Sequence, residues 1–252
     1  MNLTLLKKKF KDTGYCIVNF SHLSKTIDKI NLKINLKLKK KNIKTNPKAF
    51  HYNSSPRIVE SWKYIKEVRE IAHNKKLNQI LRYLKNNRKP LPFSTINFIK
   101  GTEQPLHSDY IHFATIPDFY LVGVWLALED VHINAGPLAI VEKSHKFPLL
   151  NNDKLKLKIP TNENELKKNY TIYEKEVKNI LKKKKSKIKQ IVIKKGEIII
   201  WDANLLHGAL KIKDKKLTRK SLVFHYHFDD CKKYYNPIYS LPNINLYAER
   251  NL

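Results

Sequence analysis

The spacing of apolar and polar positions changes character about a third of the way along the chain. In the first third, apolar residues recur at intervals of three and four, which is typical of amphipathic helices. This pattern predicts a helix over 4–12, a second helix that begins at Lys25, and one or two more over 57–86. A short apolar run at 14–20 predicts a strand, and the Lys- and Asn-rich segment 33–50 is expected to be a loop.

After residue 90 the apolar residues come in short runs that Gly, Pro, Asn and Asp separate, which is typical of strands joined by turns. The predicted strands cover 93–99, 111–115, 120–128, 137–141, 191–193, 197–201, 209–212 and 219–228. Many short strands of this kind indicate a sandwich or barrel. The polar segment 151–190 interrupts them and contains four consecutive lysines at 182–185. We expect a solvated helix and loop there, with a cover over a site or an anion-binding patch as the alternative.

These patterns predict one domain over 1–252, mainly β with flanking helices. Residues 1–89 are expected to be a mainly helical N-terminal support, and 90–228 a β-core that carries the lysine-rich insert 151–190. Residues 229–252 are expected to be a C-terminal tail. A length of 252 residues suits a single β-core. No apolar run approaches the roughly 18–20 residues that a membrane-spanning helix needs.

The composition adds a strong positive charge. Lys and Arg number 50 against 22 Asp and Glu, for a net charge of +28. Such an excess is typical of proteins that bind nucleic acid or anionic membranes. Only six of these residues are Arg, and the abundance of Lys with Asn and Ile indicates an A+T-rich genome. We therefore expect a solvated lysine surface and no specific nucleic-acid partner. Two cysteines and no recognisable signal peptide predict a cytoplasmic protein.

His107 and Asp109 form a candidate metal-binding pair, because residues i and i+2 of a strand point to the same face. His207 supplies a third ligand, since it follows a buried apolar run and a turn in GEIIIWDANLLHG. Two histidines and a carboxylate form the facial triad of non-haem Fe(II) oxygenases, although zinc and manganese also bind such a set. The pair His227 and Asp229 has the same spacing, but no histidine follows it to complete a site.

Arg219 and Ser221 are expected to share a strand face, where a guanidinium fork and a hydroxyl match a carboxylate such as the distal one of 2-oxoglutarate. This pair favours iron over the other metals. Gln104, Tyr110 and His225 are the candidate substrate contacts. Tyr110 has the parity of a side chain that points away from the metal pair, so a structural role is its alternative. A buried, hydrogen-bonded histidine is the alternative for His225.

Five motifs stand in an order that resembles the phytanoyl-CoA dioxygenase family, most strongly over residues 90–228. They are H-S-D at 107–109, V-W-L-A-L-E-D at 124–130, G-P-L at 136–138 with S-H-K at 144–146, G-E-I-I-I-W-D-A-N-L-L-H-G at 196–208 and T-R-K-S-L-V-F-H-Y at 218–226. The resemblance implies a double-stranded β-helix of the jelly-roll or cupin type. It also implies an Fe(II)- and 2-oxoglutarate-dependent oxygenase that consumes O₂.

The same resemblance implies roles for individual residues. They are iron ligation by His107, Asp109 and His207, binding of the 2-oxoglutarate carboxylate by Arg219 and Ser221, and lining of the cosubstrate pocket by Trp125 and Asn97. The expected reaction is hydroxylation of an unactivated C–H bond of a small-molecule substrate, with release of succinate and CO₂. The insert 151–190 has no recognisable counterpart in the family, so the resemblance does not identify the substrate. The lysine-rich surface is compatible with an anionic one.

Two other functions stay open at this point. One is a non-catalytic or nucleic-acid-associated basic protein on the same fold, which the charge of +28 and the lysine run favour. The other is a zinc or manganese β-sandwich enzyme that does not use 2-oxoglutarate.

Overall fold

The computed structural model describes residues 2–39, 45–46 and 57–249. Its helices are α1 (Leu3–Thr13), α2 (Ser24–Lys39), α3 (Lys66–Ala72), α4 (Lys75–Leu84) and α5 (Glu163–Lys183). Its strands are β1 (Tyr15–Asn19), β2 (Thr45–Asn46), β3 (Arg57–Val59), β4 (Pro90–Phe98), β5 (Ala114–Ile116), β6 (Leu121–Ala127), β7 (Leu138–Ile140), β8 (Lys189–Ile191), β9 (Glu197–Asp202), β10 (His207–Ala209), β11 (Ser221–Phe228) and β12 (Lys233–Tyr235). Within these ranges, none of the helices is both long and apolar enough to cross a membrane.

The strands form three antiparallel sheets. The largest has the order β1-β9-β6-β11-β4-β3-β2, and smaller sheets have the orders β10-β7-β8 and β12-β5. Alternation along each strand separates the two faces of the large sheet. On β6, Val122 and Val124 pack with the N-terminal helices, whereas Trp125 packs in a second core toward the three-stranded sheet. This is the predicted double-stranded β-helix, with helices on the outer face of the large sheet.

The N-terminal segment contributes strands as well as helices. The Asn2 side chain caps α1, and Gly14 ends it with a φ of 90°, a left-handed conformation that favours glycine. β1 follows at once and pairs with β9 at the edge of the large sheet. The segment 57–86 was expected to be helical throughout, but it begins with β3, which pairs with β4.

The loop expected over 33–50 is wrong for its first part, because α2 extends to Lys39. Ile30 and Ile34 are both buried against the sheet, so the apolar helical period continues past the lysines that suggested a loop. Of the rest of that segment, residues 40–44 and 47–50 lie outside the described part of the chain.

The insert 151–190 is more than a solvated helix and loop. Its helix α5 exposes lysines on one side and buries Leu166, Tyr170, Tyr173 and Val177 on the other. These four residues form a separate core with residues that include Ile111 and Leu206, which adjoin the predicted metal-binding motifs. The C-terminal segment also belongs to the fold, since β12 pairs with β5.

Candidate metal centre

Backbone pairing brings the two candidate ligand histidines together. His107 and His207 lie opposite each other in an isolated antiparallel bridge. The N–H of each residue donates to the carbonyl of the other at 2.9 Å, and their ring centroids are 4.6 Å apart. Asp109 begins a short 3-10 helix directly after His107. One potential ligand atom from each of these three residues lies within 4.8 Å of the other two.

The hydrogen bonds of both imidazoles leave the same nitrogen available to a metal. Nδ1 of His107 lies 2.9 Å from the Pro105 carbonyl, and Nδ1 of His207 lies 2.9 Å from the Leu205 carbonyl. A carbonyl only accepts, so each Nδ1 carries a proton, and Nε2 is the nitrogen of each ring that faces the other ligands and can bind a metal. Burial lowers the pKa of His107 well below its ordinary value, and the facing His207 lowers it further. His107 is therefore neutral at pH 7.

The carboxylate of Asp109 is oriented by Trp201. The indole Nε1–H donates to Oδ2 at 2.7 Å, while Oδ1 lies 3.5 Å from His207 Nε2. His225 Nε2 lies 3.5 Å from Oδ2. Burial raises the pKa of Asp109, but the facing His207 and His225 outweigh this effect, so the net shift is downward. The Trp201 hydrogen bond thus occupies Oδ2 and leaves Oδ1, which faces His207, for a metal ion.

Helix α5 supports the turn between the two candidate ligands of the H-S-D motif. The buried Ser108 amide donates to the Tyr173 hydroxyl at 3.0 Å. Ser108 and Tyr173 are 3% and 1% exposed, so this hydrogen bond is closed to water. The sequence pattern did not reveal this link, because Tyr173 reads locally as one apolar position of an amphipathic helix.

The three candidate ligand side chains line a cavity of about 310 Å³. Arg219 lines it too, and its Nη1 donates to the Gly136 carbonyl at 2.7 Å. Arg219 is 2% exposed, and its Nε has no hydrogen-bond partner among the described residues. Burial lowers the pKa of its guanidinium to about 10, so the group stays charged at pH 7. A buried charge of this kind is costly unless an anion pairs with it.

Of the other residues expected near the cosubstrate, one lines the cavity and two do not. Trp125 lines the cavity, with the Arg219 guanidinium 5.7 Å from its ring centroid. Ser221, the first residue of β11, is not among the residues that line the cavity. Its Oγ is buried without a hydrogen-bond partner in the described part of the chain. Asn97 lies outside the cavity. Its parity on β4 places it on the helix side, where its Oδ1 accepts from the Ser61 hydroxyl.

Two of the three candidate substrate contacts line the cavity, and the third does not. Gln104 and His225 line the cavity, and Gln104 Nε2 lies 3.0 Å from His107 Nε2. Tyr110 does not line it. The 3-10 turn directs Tyr110 toward β12, where its hydroxyl lies 2.8 Å from that of Tyr235. The expectation of a substrate contact is therefore wrong for Tyr110.

The cavity lining also contains polar and charged residues that were not selected from the sequence as site residues, among them Arg57, His112 and Tyr170. On a regular strand His112 would lie on the face opposite His107 and Asp109, but the 3-10 turn that begins at Asp109 breaks that parity. Tyr170 comes from α5, and its hydroxyl hydrogen-bonds His112 Nδ1 at 2.8 Å. The proximity of His112 to the motif was the one local signal for this group.

Comparison with solved structures gives the same architecture. SnoK, a non-heme alpha ketoglutarate dependent carbocyclase from nogalamycin biosynthesis, aligns with a TM-score of 0.70 at 14% identity, over 98% of this chain and 92% of that one. The epimerase SnoN, in complex with Fe3+, alpha ketoglutarate and nogalamycin RO, aligns with a TM-score of 0.68 at 14% identity, over 99% and 96% of the two chains. At these identities the likeness establishes the fold.

Sequence comparison identifies relatives and a family. The peroxisomal phytanoyl-CoA dioxygenase of Rattus norvegicus is 24% identical over 193 residues, which cover 72% of this chain and 53% of the relative. The chain thus spans about half the length of this curated relative. The model of the family described as phytanoyl-CoA dioxygenase (PhyH) matches residues 28–221, a range that contains all three candidate ligands and Arg219. A match over this much of the sequence shows that the chain belongs to the phytanoyl-CoA dioxygenase (PhyH) family.

Proposed function

We propose that this chain is an Fe(II)- and 2-oxoglutarate-dependent dioxygenase. In the proposed reaction, 2-oxoglutarate and O₂ are consumed, a C–H bond of a small-molecule substrate becomes C–OH, and succinate and CO₂ are released. One observation carries the proposal: a two-histidine, one-carboxylate donor set and a buried, charged Arg219 face the same cavity. Family membership supports it, as does the SnoN structure, whose ligands include Fe3+ and alpha ketoglutarate.

The residues present fit both groups. His107 Nε2, His207 Nε2 and Asp109 Oδ1 form a donor set of two imidazoles and one carboxylate that suits a divalent ion and would leave part of its coordination sphere open. Arg219 supplies a buried cation with an unused Nε–H, which suits a carboxylate. Ser221 Oγ is a buried hydroxyl that can add a further donor. When bound, iron with 2-oxoglutarate supplies the oxidation of the C–H bond.

The chain itself orients the side chains that would hold these groups. The carbonyls of Pro105 and Leu205 fix the two imidazole tautomers, and Trp201 fixes the carboxylate. Such supporting contacts are typically worth 10- to 100-fold in metal affinity or activity, an order-of-magnitude expectation of about 1–3 kcal/mol each.

The first test is spectroscopic. Fe(II) and then 2-oxoglutarate are added anaerobically to wild type, His207→Ala and Arg219→Ala, and the visible spectrum is recorded. We expect a metal-to-ligand charge-transfer band in wild type and none in His207→Ala. Arg219→Ala should need about 10- to 100-fold more 2-oxoglutarate, because it loses a charge-assisted hydrogen bond. Arg82→Gln is the matched control, since it removes an exposed positive charge outside the cavity.

Two outcomes would contradict the proposal. Catalysis by the zinc or manganese protein without 2-oxoglutarate would identify the alternative metalloenzyme. Steeply salt-dependent nucleic-acid binding, with no charge-transfer band, would favour the basic binding protein. A small-molecule substrate, no specific nucleic-acid partner and a cytoplasmic location belong to the same proposal. The free thiols of Cys16 and Cys231 agree with a reducing compartment.

A further inference from the structure

The basic residues that line the cavity are arginines. The chain has 50 Lys and Arg, of which six are Arg. Among the described residues that line the cavity, the basic ones are Arg57 and Arg219, and no lysine is present. A basic composition dominated by lysine does not explain this selection. Guanidinium groups bind carboxylates and phosphates through a planar fork, which a lysine ammonium lacks.

Arg57 occupies a different part of the cavity from Arg219. Arg219 lies just before β11, and Arg57 is the first residue of β3. In the large sheet, β4 lies between these two strands. Arg219 lies beside Trp125, whereas the Arg57 guanidinium lies 5.6 Å from the ring centroid of Phe98. The two cations therefore form two positions for an anion, and Arg219 already accounts for the carboxylate of 2-oxoglutarate.

Gln104 connects Arg57 to the metal ligands. Arg57 Nη2 donates to Gln104 Oε1 at 3.1 Å, and Gln104 Nε2 lies 3.0 Å from His107 Nε2. A metal ion on His107 uses the same lone pair that this amide N–H contacts. The Gln104 amide N–H then has no acceptor at His107, while Arg57 still donates to the Gln104 side-chain carbonyl Oε1. Arg57 and the Gln104 amide thereby become adjacent donors beside the metal centre.

The formal charges of the cavity also favour an anion. Among the described residues of its lining, the arginines and carboxylates are Arg57, Arg219 and Asp109, and these three groups together carry one positive charge. Fe(II) and the 2-oxoglutarate dianion cancel each other. With both bound, the side chains of Arg57, Arg219 and Asp109 still sum to one positive charge, and a charge in a site of lower dielectric than water attracts an anionic ligand more strongly than it would in water.

We propose that the substrate carries one anionic group, a carboxylate or a phosphate ester, that binds Arg57 and the Gln104 amide. This inference rests on the proposed function and specifies its substrate class. The anionic group anchors the substrate on the β3 side of the cavity, and the C–H bond to be oxidised lies between this anchor and the three metal ligands.

The test measures binding rather than turnover. The protein is loaded with redox-inert Ni(II) and saturating 2-oxoglutarate, so that Arg219 is occupied. It is then titrated with carboxylates and their matched amides (acetate and acetamide, hexanoate and hexanamide, benzoate and benzamide) and with methyl phosphate. Tryptophan fluorescence reports binding, because Trp125 and Trp201 line the cavity. The variants are Arg57→Gln, Arg57→Lys and the control Arg82→Gln.

We expect wild type and Arg82→Gln to bind at least one anion more tightly than its neutral match. Arg57→Gln should weaken that anion about 10- to 100-fold, the loss of one charge-assisted hydrogen bond, and leave the amide unchanged. Arg57→Lys should recover part of the loss, because it keeps the charge without the fork.

No anion preference anywhere in the series would overturn the inference. An equal loss of 2-oxoglutarate affinity in Arg57→Gln would also overturn it, because Arg57 would then belong to the cosubstrate site. A different result would show that the proposed function itself is wrong. In that case wild type shows no charge-transfer band with Fe(II) and 2-oxoglutarate, whatever the anions do.

Discussion

The hydrogen bond between α5 and the H-S-D turn gives a sharp prediction for Tyr173→Phe. The substitution keeps the ring and removes the hydroxyl that accepts from the Ser108 amide at 3.0 Å. The ring is fully enclosed, at 1% exposure, so water cannot replace the lost acceptor. A buried amide left without a partner costs about 1–3 kcal/mol of unfolding free energy. For a chain of this size that corresponds to a fall in Tm of about 2–12 °C.

If the Tyr173 hydroxyl had only a structural role, Tyr173→Phe would lower Tm but leave metal affinity unchanged at temperatures well below unfolding. We expect metal affinity to fall as well, by about 10-fold or more, because Ser108 lies between His107 and Asp109 and sets their relative position. Thermal unfolding by circular dichroism and competition with a chelator measure the two effects. Tyr83→Phe is the matched control, since its hydroxyl makes an exposed contact with Thr4. Wild-type metal affinity in Tyr173→Phe would refute the reasoning.

Three further predictions test other parts of the molecule. Gly123→Ala should abolish metal binding, measured by calorimetry, because the added methyl group collides with the Trp201 indole that orients Asp109. Burial lowers the pKa of His227 to about 4, so the unfolded chain gains a proton as pH falls from 6.5 while the folded chain does not. Stability should therefore fall between pH 6.5 and 4, and urea titrations should show less of this fall in His227→Phe. Replacing the four lysines at 182–185 with glutamine should leave succinate release at the wild-type rate, because they lie at the exposed end of α5. A slower rate would assign them a role in catalysis.

The candidate metal centre was accessible from sequence because its signals are local. His107 and Asp109 lie two positions apart, and His207 follows an apolar run and a turn within one motif. The reasoning assumed a regular strand at His107, and the structure instead has an isolated bridge followed by a 3-10 turn. The ligands still converge, but this irregularity decides what the residues after them do. It brings His112 into the cavity lining, against the parity of a regular strand, while Tyr110 lies outside the lining.

The sequence by itself determined the β-core with flanking helices, the three candidate ligands and the buried Arg219, because apolar periodicity and motif order are properties of short segments. Only the tertiary structure decided which distant residues complete the site. Arg57 reaches the cavity through the pairing of β3 with β4, and Tyr173 through the packing of α5. Each looks ordinary in its own segment, as a surface cation or an apolar helix position. Their roles depend on contacts between segments far apart in the chain, and no local pattern encodes those contacts.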